Sequence, residues 1–130
     1  MKPVSIFLIT ILLLPMQGCK KYEILKLVTG TYLVWGTHYS AAGAGTSAVP
    51  INSESLTITK SGKSIHVVFQ TWEGKFTYYN ENETYYHFLR EPDDDSFIYF
   101  YKNNDSIVGV LKYVTSGLHY GNYSIKGAKN

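Results

Sequence analysis

The chain holds a single cysteine, Cys19, and only four prolines among its 130 residues. One thiol excludes an internal disulfide, so any fold must be held by burial alone. A phosphate-binding glycine loop, a Gly-x-Ser-x-Gly elbow and a His-Glu-x-x-His pair are all missing. Their absence removes the common motif-borne routes to nucleotide, serine-hydrolase and zinc-hydrolase chemistry. An excess of one charge is missing too, with twelve Lys/Arg against ten Asp/Glu. That balance excludes the basic surface on which nucleic-acid binding depends. No apolar run reaches the roughly 20 residues that a membrane-spanning helix needs.

What is present begins at the N-terminus. Lys2 precedes an almost wholly apolar stretch, residues 4–14 (VSIFLITILLL), which ends at Gly18-Cys19. A positive start, a short apolar stretch and a small residue before a cut form the secretory signal pattern. With cysteine in the next position, the segment resembles the lipobox of bacterial lipoproteins. The resemblance implies removal of residues 1–18 and lipid on Cys19, and hence a membrane as partner. Lys20-Lys21 follow, with no aspartate after the cysteine, which implies outer-membrane placement. Acyl chains anchor firmly, at about 0.8 kcal/mol per buried methylene. Residues 19–29 then read as a lipidated tether and residues 30–130 as one small domain.

Near-helical spacing of Tyr22, Leu25 and Val28 predicts one or two helical turns within the tether. After Gly30 the texture becomes that of strands. Expected strands are 31–39, 55–60, 64–72, 75–79, 83–89, 96–102, 106–114 and 118–125. Turn signals separate them at Ser61-Gly62, Glu73-Gly74, 80–82, 91–95, 103–105 and Ser116-Gly117. Gly109 predicts a bulge or a close backbone approach. Residues 40–53 (SAAGAGTSAVPINS) are expected to form a long flexible loop. Eight short strands joined mostly by tight turns predict an all-β fold, a small antiparallel up-and-down meander closing into a barrel. Most are shorter than the 9–11 residues of a membrane-spanning strand.

Gly30-Thr31-Tyr32, the long segment after the first strand and the eight-strand meander resemble the calycin superfamily of lipocalin-like barrels. That resemblance implies a cup for an apolar ligand, and a basic residue near the ring of Tyr32, for which Lys126 is the match. The run 116–120 (SGLHY) and Lys126-Gly127 are also similar to the Ser-Gly-x-x-Tyr and Lys-Gly pattern of bacterial lipoprotein inhibitors of animal-type lysozyme. This second likeness implies that Ser116 and Lys126 contact the enzyme.

For a ligand pocket the candidates are Trp35, Trp72, Tyr99 and Tyr101, since pockets are commonly aromatic-lined. His38, His66, His87 and His119 lie on separate strands without metal-ligand spacing. Asp93, Asp94 and Asp95 read as a solvated hairpin tip rather than a calcium loop. No catalytic residue, metal or cofactor is expected. A non-enzymatic envelope module follows, binding either a small apolar or aromatic molecule or an envelope protein partner. A cavity lined by Trp35 and Tyr99 favours the first. A solid core with an exposed tyrosine face favours the second.

Overall fold

Alternation of buried and exposed residues runs through nearly every strand of the chain, and a closed ring satisfies it. A computed structural model describes residues 16–130 apart from 44, 91–94 and 117–118. Helix α1 (Met16–Val28) leads into β1 (Gly30–Ala42), β2 (Gly45–Ser61), β3 (Ser64–Phe69) and β4 (Trp72–Glu81). Strands β5 (Tyr85–Arg90), β6 (Phe97–Tyr101), β7 (Ser106–Ser116) and β8 (His119–Lys129) complete it. Each strand pairs antiparallel with the next, and β8 returns to β1, closing the barrel. The all-β meander is as the sequence predicts.

The interior is filled by side chains from all eight strands. Phe69, Phe76, Phe88, Leu56, Ile65 and Ile98 have no exposed surface. Tyr32 and Phe100 meet edge to face with centroids 6.0 Å apart, and Phe88 and Phe100 at 5.2 Å. Both are favoured ring geometries. Gly109 makes the close approach expected of it: a Cβ there would lie 2.7 Å from the Phe97 carbonyl oxygen.

Strand length is uneven. Strands β1, β2, β7 and β8 have 13, 17, 11 and 11 residues, whereas β3, β5 and β6 have 6, 6 and 5. One end of the barrel therefore carries a projecting sheet of four strands beside a low wall. Four boundaries differ from the sequence expectation. Residues 40–42 and 45–53 are strand rather than loop, with β2 paired to β1 from Ala42↔Gly45 back to Gly36↔Ile51. Gly43 (φ +58°) supplies the left-handed residue of the tight turn. The small side chains of this stretch carry little strand propensity, and pairing with β1 overrides it. Pro50 is tolerated because described pairing of β2 with β3 covers only Leu56 to Ser61.

The turn expected at Glu73-Gly74 falls three residues earlier. Gln70 takes φ +54°, and Phe69 pairs with Trp72, both facing inward. The chain end also continues as strand to Lys129, past the expected stop at 125.

The fourth difference is the tether, which is helix up to Val28. Ile24, Leu25 and Val28 are 4, 1 and 2% exposed and pack into the hydrophobic core at one end of the barrel. Three carbonyls of the last helical turn are capped by side chains, Lys26 O by the Thr29 hydroxyl at 2.8 Å. The Tyr32 hydroxyl donates to Val28 O at 2.9 Å, and Lys129 Nζ to Leu27 O at 2.9 Å. Burial, and then the charge of Asp105, push the Tyr32 phenol well above its usual range, so it remains a donor. If the helix is part of the core, Leu25→Ala lowers unfolding free energy by about 2–5 kcal/mol in urea titration. A loose tether would lose under about 0.5 kcal/mol.

Candidate functional site

The open end owes its shape to side chains that replace missing strand pairing. Strand β6 pairs with β7 only from Ile107 to Val110. Beyond that point Lys112 would show bare backbone at the low wall. Its N–H donates to Ser96 Oγ at 2.8 Å, and its carbonyl accepts from Trp72 Nε1 and Arg90 Nη1, each at 3.1 Å. The Arg90 guanidinium also lies over the Trp72 ring, 4.8 Å from its centroid, a cation–π contact. Gly74 makes room for this stack, since a Cβ there would be 2.6 Å from the ring and 2.9 Å from Arg90 Nε.

A second cluster stands beside it on the projecting sheet. The His38 ring stacks on Tyr123 at 4.3 Å, and His38 Nε2 is 2.7 Å from the Tyr113 hydroxyl. Burial raises the Tyr123 phenol pKa, with further increments from Tyr113 and Glu54. A hollow of about 800 Å³ runs across this end from Thr71 and Glu73, past Arg90 and Asp95, to Val114 and Tyr120. Its charges are balanced. Lys112 and Asp95 pair at 3.0 Å, leaving Arg90 and Glu73 as the other two. The arrangement suits packing and hydrogen bonding. No cluster of His, Cys, Asp and Glu able to hold a metal occurs among the described residues.

The four aromatic residues singled out by sequence are not brought together. Trp72 faces inward at the open end and is 7% exposed. Trp35 is 43% exposed on the outer face, opposite Lys126. Tyr99 and Tyr101 lie outward on β6, between and beyond the buried Ile98 and Phe100. Strand alternation separates them, and Trp35 and Tyr99 both face away from the interior. Ser116 pairs with His119 at the tip of β7, while Lys126 is an exposed mid-strand residue opposite Val108. Eight residues of strand separate these positions, roughly 27 Å. The lysine beside Tyr32 is Lys129, not Lys126. Cys19 lies in α1, with its side chain outside the described atoms, as are Asp93 and Asp94.

Sequence reasoning missed Arg90, Tyr113, Tyr123 and His38. Arg90 had a signal: Tyr86, Phe88 and Arg90 alternate on one face, so an inward arginine was legible. His38 had none, because its partners come from β7 and β8.

The second candidate surface is the outer face of β4 to β6. The rings of Tyr85 and Tyr99 lie 4.5 Å apart, His87 and Tyr99 4.6 Å, Phe97 and Tyr99 5.0 Å, and Tyr79 and His87 5.3 Å. These are cross-strand and same-strand neighbours on a single face. Tyr79 is 61% exposed, and Val108, opposite Tyr99, continues the face onto β7. Desolvation lowers the pKa of His87 below its ordinary 6.5.

An eight-stranded meander barrel, stopped by a helix at one end and faced with rings on one side, is the class these features define. No protein-family model, curated protein or solved structure matches the chain.

A histidine held neutral makes stability depend on pH. Above 6.5 His87 is uncharged in both folded and unfolded chains, and its contribution is complete. As pH falls below 6.5 the unfolded chain takes up the proton first, and stability declines until the lower folded pKa is passed. The fall in Tm between pH 7.5 and pH 5.5 is therefore expected to shrink in His87→Phe. An unchanged fall would show that other groups set the acid limb.

Proposed function

We propose that this chain is a calycin-like bacterial lipoprotein, anchored through Cys19 in the outer membrane, that serves as a non-enzymatic adaptor for another envelope protein. The observation that carries this reading is the placement of the rings. Phe69, Phe76, Phe88 and Phe100 fill the middle of the interior, while Tyr79, Tyr85, Phe97, Tyr99 and Tyr101 turn outward on one continuous face. The barrel keeps a hollow of about 270 Å³ at its open end, between Trp72, Tyr113 and Tyr123. Tyrosine on a partly exposed face supplies large, stiff contact area with a polar tip, the composition enriched in protein interfaces.

A photo-cross-linking residue placed at Tyr99 in living cells tests the reading. Capture of one envelope protein is expected, lost when the probe is moved to Glu73 on β4. In Tyr79→Ala/Tyr99→Ala the partner should bind at least tenfold more weakly, as for an interface hot spot, with Tm little changed. Equal capture from both positions, or none from Tyr99, would remove the adaptor reading.

A second reading rests on the open-end hollow of about 800 Å³, which lies within the size range of small-molecule sites. Here the ligand is a small apolar or aromatic molecule lying on the barrel end rather than in it. In Trp35→Phe, Trp72 is the remaining tryptophan and reports on that hollow. Native mass spectrometry of protein taken from its own envelope fraction would show the bound mass, and added ligand would shift Trp72 emission unless Tyr113 is replaced by alanine. A clean apo mass with unmoved emission would sink this alternative.

A further inference from the structure

The two ends of the barrel differ in charge as well as in shape. At the end closed by α1 stand Lys20, Lys21 and Lys26 of the helix, with Lys60 and Lys63 at the β2–β3 turn. Lys102, after β6, and Lys129, at the end of β8, join them. Against these seven lysines are four acids: Glu23, Glu81, Glu83 and Asp105. One acid is heavily shared. Glu81 accepts from Lys102 in a short contact, receives Lys20 at 3.4 Å, and has its pKa lowered chiefly by the Lys102 hydrogen bond. The closed end thus keeps a positive surplus although the chain as a whole is nearly balanced.

Away from the barrel, the helix surface is rich in lysine and shows a small apolar area. With Ile24, Leu25 and Val28 turned into the barrel, the side facing away carries Tyr22, Glu23, Lys26 and Leu27. Leu27 is 59% exposed and Tyr22 45%. Lys60 Nζ lies 4.2 Å from the centre of the Tyr22 ring, drawing the β2–β3 turn to the helix. Lysines around this apolar pair supply electrostatic attraction to anionic headgroups and a small apolar area to bury among them.

Position ties this surface to one occupant. Lys20 follows Cys19 directly and is ion-paired to the barrel at Glu81, and the helix between them and β1 is packed into the core. Only Lys20 to Glu23 separate Cys19 from the packed Ile24 and Leu25, so a lipid on Cys19 would bring the closed end toward the headgroups. We infer that the closed end, through α1 and the lysines around it, docks flat on an anionic phospholipid surface and points the open end away from the bilayer. This rests on the lipoprotein reading, and it assigns the protein an orientation that a lipid chain alone does not impose.

Lysine acetylation footprinting of the envelope-purified protein tests it, with the protein reconstituted in vesicles of phosphatidylglycerol and phosphatidylethanolamine or of phosphatidylcholine alone. Lys21, Lys26, Lys60 and Lys63 should be protected severalfold on the anionic vesicles only, and exposed again in 0.5 M salt, where the Debye length falls to roughly 4–5 Å. Lys75, on β4 away from that end, serves as the unprotected control. In Lys21→Glu/Lys26→Glu, both exposed positions outside the core, the protection should fall on the order of tenfold or more. Equal labelling on both vesicles would overturn the docking, as would protection that grows with protein concentration without vesicles, which would mean a second copy covers the face. Intact mass reports lipid on Cys19 separately, so loss of the anchor and loss of the docked orientation are told apart.

Discussion

The structure depends on β1 pairing with two neighbours at once. From Tyr32 to Ala41 it faces β8, and from Gly30 to Ala42 it faces β2. Full closure is the one arrangement that removes free edges from a small sheet. Here it requires backbones to pass very close at the seam. Gly36 has φ +150°, and a Cβ on it would lie 1.9 Å from the Ser124 carbonyl oxygen. A bulge between Val34 and Gly36 bends the strand at the same place. Without a glycine here the seam would part, and the inward rings would lose the wall against which they pack.

Closure with strands of unequal length explains the two different ends. Where all strands reach, α1 stops the barrel and its last carbonyls are held by Tyr32 and Lys129. Where only β1, β2, β7 and β8 reach, the low wall leaves backbone to be satisfied by other means. Trp72, Arg90 and Ser96 meet that need at Lys112, which is why these side chains are ordered there. Their hydrogen bonds explain the built geometry of the open end without reference to a ligand. The outer aromatic rings also stabilise the sheet by pairing across strands, but Tyr79 stays 61% exposed, and that exposed area gives the adaptor reading its weight.

Alternation made the meander legible. Leu56 with Ile58, Ile65 with Val67 and Phe69, and Ile98 with Phe100 announce their faces within single strands. Glycine, asparagine and aspartate mark most turns for local steric reasons. The same period hid the site. It says that Tyr99 and Ile98 point opposite ways, but not which of them faces the axis when both are apolar. Burial of Ile98 and Phe100 decided it, and so turned Tyr99 and Tyr101 outward. Residues 40–53 misled for a related reason: small side chains carry weak strand signals, and the ladder that orders them is supplied by a partner strand.

By itself, the sequence determined the class of fold, the absence of disulfide support, the lone cysteine behind its apolar segment and the strand pairs linked by tight turns. These are local matters of side-chain period, turn stereochemistry and composition. Only the tertiary structure decided the register in which β1 meets β8 to close the predicted barrel, and that the region read as a tether is a stopper. It alone set His38 of β1 against Tyr113 of β7 and Tyr123 of β8, and gathered lysines from four separate segments at one end. Each of these joins residues far apart in the chain, through a register that no local pattern encodes.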